Sequence, residues 1–306
     1  MPDVRAILVA DIHLQARAPV CRAGEPDWFA AMAKPLEELY QLTETHDVPV
    51  IYAGDIFDRW CVGPEVINFA LEHLPRGYAV PGQHDLPNHN YNEIERSAYW
   101  TLVEANHIGN LKPGEEVVLP GNIVATGWPW GFTPEPLPKE RRSTVPNIAV
   151  VHSLIWTKGT GYPGAPAAGR VGAYNKALAG YDVAVFGDNH KGFITETKGG
   201  VTVCNCGGFM RRKSDECDYR PGVGLLHGDG TVVRHYLDTT GEHFTATTAA
   251  EKVVEDVLDM GAFVEGLRGL GAQDALDFVA ALRRFITDNK TPQRVTEIIL
   301  EACEGE

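Results

Sequence analysis

Side chains able to hold divalent cations recur along this chain in five short clusters. They read Asp11-Ile12-His13, Gly54-Asp55-Ile56-Phe57-Asp58, Gly82-Gln83-His84-Asp85, His152, and Gly187-Asp188-Asn189-His190. Carboxylates, imidazoles and an amide oxygen form a mixed donor set. That set suits two cations about 3.5–4 Å apart that share a carboxylate and leave a position for water. Such a pair polarises a carbonyl or phosphoryl oxygen and acidifies water, so the chemistry indicated is metal-assisted hydrolysis. Each cluster alone is weak, because Asp-x-His arises by chance and a lone buried His is more often a hydrogen-bonded structural residue. Their shared grammar is stronger. Each follows an apolar run, such as Ile7-Leu8-Val9-Ala10 or Val183-Ala184-Val185-Phe186, that stops abruptly at a ligand-capable side chain.

The elements that must position these clusters are strands, expected at 5–10, 49–53, 77–80, 147–151 and 183–186. Apolar strands alternating with amphipathic segments indicate an α/β fold, and ligands of such sheets gather beyond the carboxyl ends of the strands. Helices are expected at 26–44, where Trp28, Met32, Leu36, Leu39 and Tyr40 fall near helical spacing, at 64–73 with Pro64 in the first turn, and at 93–106. Pro113-Gly114 and Pro120-Gly121 separate short β-prone pieces. Hairpins are expected over 193–205, turning at Gly199-Gly200, and over 223–237, turning at Gly228-Asp229-Gly230. The Gly/Pro-rich stretch 157–169 reads as a mobile loop and a candidate lid. Further helices are expected at 249–260, 273–288 and 291–303, which divides the chain into a catalytic domain (1–240) and a helical extension (245–306).

The formal net charge of −14 argues against a broad basic surface gripping nucleic acid unaided. Six scattered cysteines and a start without a basic or long apolar segment point to a reducing cytoplasm, and apolar runs of strand length suggest no membrane role. Cys204, Cys206 and Cys217 lack a fourth zinc partner at a recognised spacing and read as small buried side chains in a hairpin.

In this order, over roughly residues 4–240, the clusters resemble the calcineurin-like metallophosphoesterases. Within that superfamily the chain is most similar to the nuclease subunit of the SbcD type and its bacteriophage relatives, which act in recombination and repair. Two features point to this branch. One is the Gly54-Asp55-Ile56-Phe57-Asp58 form of the second cluster. The other is Asn205-Cys206-Gly207-Gly208-Phe209-Met210-Arg211-Arg212, similar to an Asn-Pro-Gly-Ser segment with trailing basic residues.

The resemblance implies a two-sheet β-sandwich flanked by helices, with a helical C-terminal tail. It implies that Asp11, His13 and His190 hold one metal, that Asp55 bridges, and that Gln83, His152 and Asp188 hold the other. His84 would be the general acid, with Asp85 orienting its ring. Asp58 reads equally as a ligand, a cap or an outer support. Gln83 stands where the family has Asn, and Asp188 where it has His. The added anionic oxygen makes the site harder, favouring two Mn²⁺ or Mg²⁺ ions over Zn²⁺.

A nuclease reading draws on Arg211, Arg212 and Lys213 for phosphates and on Trp128, Trp130, Phe132 and Trp156 for stacking on unpaired bases. In the resembled family the nuclease subunit works as a homodimer with an ATPase partner. The competing readings are a phosphodiesterase or phosphatase for nucleotides or other small esters, and a binding module with a vestigial metal site.

Overall fold

A computed structural model describes residues 3–142 and 144–245. In chain order its strands are β1 (Val4–Val9), β2 (Val50–Ala53), β3 (Gly77–Val80), β4 (Ile108–Asn110), β5 (Glu116–Leu119) and β6 (Ile123–Trp128). They continue with β7 (Asn147–His152), β8 (Val183–Gly187), β9 (Phe193–Glu196), β10 (Thr202–Asn205), β11 (Gly222–His227) and β12 (Val232–Tyr236). Three α-helices are described: α1 (Trp28–His46), α2 (Pro64–His73) and α3 (Ala98–Glu104).

The strands form two six-stranded mixed sheets, ordered β12-β11-β1-β2-β3-β4 and β5-β6-β7-β8-β10-β9. Parallel pairing joins β1 through β4 in the first and β6, β7, β8 and β10 in the second, with antiparallel hairpins at the edges. Side-chain alternation explains the layers, since successive residues of a strand point to opposite faces. Ala6, Leu8 and Ala10 meet Ile148, Val150, Val183 and Val185 between the sheets. Ile7, Val9, Val50 and Tyr52 face α1 and α2, while Ala149, Val151, Ala184 and Phe186 face outward under Leu178 and Tyr181. The described residues thus form the expected sandwich of two sheets with flanking helices. The expected extension at 245–306 lies, beyond Thr245, outside the described residues.

Helix α1 starts at the Asp27 cap, whose carboxylate accepts from Ala30 N at 3.1 Å. Trp28, Met32, Leu36 and Leu39 are buried as expected, but Tyr40 is 53% exposed, because the buried stripe is narrower than the spacing suggested. The helix expected at 93–106 is broken. A 3₁₀ turn (Tyr91–Arg96) gives way to α3 at Ser97, whose extended backbone and side-chain bond to Trp100 N restart the helix. Cys204 and Cys206 are buried in the inter-sheet core, whereas Cys217, expected to be buried, is exposed in the loop beyond β10. Among the described residues, no helix is long and apolar enough to cross a membrane.

Candidate metal centre

All five clusters meet at the carboxyl ends of β1, β2, β3, β7 and β8. Asp11 N bonds Gly54 O and His13 N bonds Asp55 O, each at 3.0 Å, so the first two clusters run side by side. The chain must bend sharply to aim these groups inward. Asp11 (φ 54°), His13 (φ 52°), Asp55 (φ 54°) and Asp188 (φ 87°) all adopt left-handed backbone, which costs roughly 1–3 kcal/mol each and persists only where surroundings enforce it. Glycine makes the close approach feasible. A Cβ on Gly54 would sit 2.1 Å from His152 Nδ1, and one on Gly82 would sit 2.1 Å from Asp55 Oδ1.

The predicted ligands converge in two overlapping triads, Asp11 with His13 and His190, and Asp11 with Asp55 and His152, and a third group of His13, Asp58 and His84 adjoins them, the ligand atoms of each lying within 4.8 Å of one another. His13 Nε2 faces His190 Nε2 at 3.2 Å. Asp55 Oδ1 accepts from His84 N at 2.9 Å, while Asp55 Oδ2 lies 3.4 Å from His152 Nε2 and 3.8 Å from His13 Nε2. That oxygen therefore sits between the two imidazole groups. Gln83 draws in the remaining predicted ligand: its Nε2 donates to Asp188 Oδ1 at 2.8 Å, and its Oε1 lies 2.7 Å from His152 Nε2. The seven residues expected as ligands are thus in one place, with Asp11 common to both triads as well as Asp55 central.

Electrostatics and unpaired atoms test whether cations fit. Asp55 Oδ2 and His13 Nδ1 are buried with no hydrogen-bond partner, an arrangement that costs stability unless something answers it. Burial pushes Asp11 up to about 6, against the pull of His190 and His152. Burial also raises Asp55, but His152, His13 and His84 outweigh it and hold that carboxyl below the usual range. His13 is driven well below the ordinary imidazole value by burial, with Asp55 opposing, so its ring is a neutral donor. Burial works against charge on His152 too, yet Asp55, then Asp11 and Asp188, lift it to about 10. Carboxylates at this end therefore call for positive charge, which divalent cations supply as well as a proton does. His152 Nδ1 lies 2.6 Å from Ala53 O, which can only accept, so its proton sits there and Nε2 is the atom presented to the cluster. The residues fit a pair of divalent cations.

Other expected residues serve different roles. Asp85 does not orient His84. Its buried carboxylate accepts from Phe57 N and Gly82 N at 3.0 Å and from Ile56 N at 3.3 Å, tying the second and third clusters together. Burial and then the charge of Asp55 raise it to about 7, against those backbone donors. The His84 ring is instead oriented by Asp58, whose backbone oxygen lies 2.7 Å from His84 Nδ1. The Asp58 carboxylate pairs with Arg212 and lies 3.8 Å from His13 Nδ1, at the edge of the cluster.

Arg211, expected at substrate, is spent on Glu242 and on the Cys217 and Thr239 carbonyls. Trp128 is buried in the outer layer with Tyr181 and cannot stack on a base. Trp156 lies under Arg170, and the base of the 157–169 loop is tied down by Asn189, whose amide donates to Ile155 O at 2.7 Å and Thr160 O at 3.2 Å.

The sequence reading missed two supports. Asn205 donates to Asn189 O at 2.7 Å and Lys191 O at 3.1 Å, holding the turn that bears His190. Glu216 faces His190 from the next loop. Asn205 was visible as part of a motif, but no local signal marks Glu216.

Among solved structures the chain is similar to TT1561 of Thermus thermophilus, with 13% identity, TM-score 0.46, and coverage of 77% of this chain and 100% of that one. It is similar to the NAD nucleotidase NadN of Haemophilus influenzae, with 14% identity, TM-score 0.41, 83% of this chain covered and only 55% of that one. A third is Vps29 of Entamoeba histolytica, solved in complex with Zn²⁺, with 15% identity, TM-score 0.37, and coverage of 78% and 96%. No curated protein sequence matches. The family model for the calcineurin-like phosphoesterases matches residues 4–192, a span that contains every residue of the two triads, and the chain belongs to that family of phosphoester hydrolases.

Proposed function

We propose that this chain is a two-cation phosphodiesterase acting on nucleic acid, a nuclease of the recombination and repair type. The observation that carries the reading is an aromatic ring, Trp130, beside the ligand cluster, with Phe132 two residues further along the chain. The Trp130 ring lies 6.4 Å from that of His152 and is only partly buried, and Phe132, 38% exposed, meets Tyr91 edge to face at 5.4 Å. Unpaired bases stack on such rings for about 1–3 kcal/mol each, whereas a simple phosphate ester offers them nothing to hold.

Asp11, His13 and His190 would hold one cation, Gln83, His152 and Asp188 the other, and Asp55 would be shared. Mn²⁺ or Mg²⁺, when bound, would neutralise phosphoryl charge and lower the pKa of a water. The chain's own contribution to proton transfer is His84. Its Nδ1–H is committed to Asp58 O, which leaves Nε2 to protonate the departing oxygen. Arg212 steadies that arrangement through the Asp58 carboxylate, and its position at the edge of the cluster also suits a phosphate of the substrate.

The net charge of −14 favours a second reading, a phosphodiesterase for nucleotides or other small esters, for which a negative surface is no handicap. On the nuclease reading the same charge implies that DNA is engaged with help, from an ATPase partner and a second copy of the chain. The test is Mn²⁺-dependent hydrolysis of labelled single- and double-stranded DNA beside a small chromogenic phosphodiester, for the native chain and His84→Ala. DNA cleavage that falls about 10²–10⁴-fold in the variant, with cation binding retained, is the expected result. Turnover confined to the small ester supports the second reading, and none on either substrate defeats both.

A further inference from the structure

The loop that follows β10 reaches back to the ligand cluster at its far side. Phe209 N bonds Asp11 O and Gly208 N bonds His190 O, each at 3.1 Å, so the loop is fastened to one triad before it turns away. Its second fastening is Glu216, a carboxylate only 13% exposed. Glu216 Oε2 accepts from Arg212 N at 2.7 Å and Lys213 N at 3.0 Å, which fixes the side chain against its own turn. Glu216 Oε1 is then aimed at His190 Nδ1, 3.6 Å away, a charge contact rather than a closed hydrogen bond. The opposite nitrogen of that ring, Nε2, points at His13 Nε2 in the Asp11 triad.

We propose that Glu216 is a positioning residue for His190, keeping the Nδ1–H tautomer and the ring direction that present the Nε2 lone pair to a divalent cation. The inference rests on the two-cation reading above. A carboxylate behind a ligating imidazole orients the ring and raises its basicity, and losing such a partner costs about 10–100-fold in cation affinity. Arg212, four residues earlier, grips Asp58 from the same loop, so one short segment supports both the His190 side and the His84 side of the centre.

Glu216→Gln separates this role from a structural one, because an amide oxygen still accepts from Arg212 N and Lys213 N while the charge facing His190 is removed. Full-length native protein, E216Q, H190A and the double variant would be titrated with Mn²⁺ by calorimetry, with thermal midpoints measured on the cation-free chains. The expected result is an unchanged midpoint for E216Q, one cation bound as in the native chain, and the other weakened roughly 10–100-fold. In the H190A background E216Q should then add nothing. Imidazole ¹⁵N shifts of the cation-free protein provide a second readout: His190 should lose its single tautomer in E216Q. Native affinity for both cations in E216Q, or an equal further loss on top of H190A, would overturn the assignment. A native chain that binds no divalent cation would overturn the two-cation reading with it.

Discussion

The two ends of the first sheet differ in what they do with their polar groups. At the amino ends of β2, β3 and β4 lies a groove of about 760 Å³, lined by residues including Tyr40, Glu44, Leu71, Arg76 and His107. Its hydrogen bonds are closed: Tyr52 donates its hydroxyl to Pro75 O, His107 Nε2 lies 2.6 Å from Leu74 O, and Arg76 reaches Asn106 O. Its left-handed residues, Asp47 and Asn106, sit just beyond helices α1 and α3, where short polar side chains are ordinary. At the carboxyl ends the left-handed residues are ligand-capable, the buried Asp55 Oδ2 and His13 Nδ1 have no hydrogen-bond partner, and His152 is lifted to about 10. A groove with closed hydrogen bonds marks one end; backbone strain and buried polar atoms without hydrogen bonds mark the other. The second pair of signs is the better guide to chemistry, because backbone strain and orphaned polar atoms survive only where something else offsets their cost.

The comparison can be broken most directly by removing the carboxylate that lies between the imidazoles. Asp55→Ala is expected to lower Mn²⁺-dependent phosphodiester turnover by roughly 10³-fold, several kcal/mol of lost charge stabilisation, and to abolish binding of the second cation. Native turnover with two cations bound would place the chemistry elsewhere. Next in size is Gly54→Ala, which sets a Cβ against His152 at a φ of +95°. Overpacking and the left-handed penalty together predict a loss of about 2–5 kcal/mol in denaturant unfolding, and a stable G54A would show that the carboxyl ends are looser than their contacts indicate. The smallest effects belong to the other end. Asp47→Gly relaxes an αL cap and should leave stability equal or raised by about 0.5 kcal/mol, and Arg76→Ala should change stability by less than about 0.5 kcal/mol with kcat/KM unaltered. A large loss of turnover in R76A would give the groove a catalytic role and erase the distinction.

Much of this was legible in the chain itself. Apolar runs ending at Asp11, Asp55, Gln83, His152 and Asp188 disclosed the strands, their direction and the ligand-capable residues, because strand period and abrupt polar termination are local properties. Helix α2 was readable to the residue from Pro64 onward, since a proline at the first turn is a local stop and start signal. The pairing of side chains was not local. Asp85, expected to orient His84, is occupied by the backbone donors of Phe57 and Gly82, and the Asp58 backbone oxygen faces that ring instead, which depends on how two loops pack. Arg211 looked free in the sequence and is bound to Glu242, thirty-one residues away. Glu216 had no mark at all, since its relation to His190 exists only after β9 and β10 return the chain to the site. Residue types and their order along strands thus determined the class of chemistry and the ligands available for it. Which carboxylate supports which imidazole was decided by tertiary packing, because a contact between loops is set by the distance the folded strands leave between them.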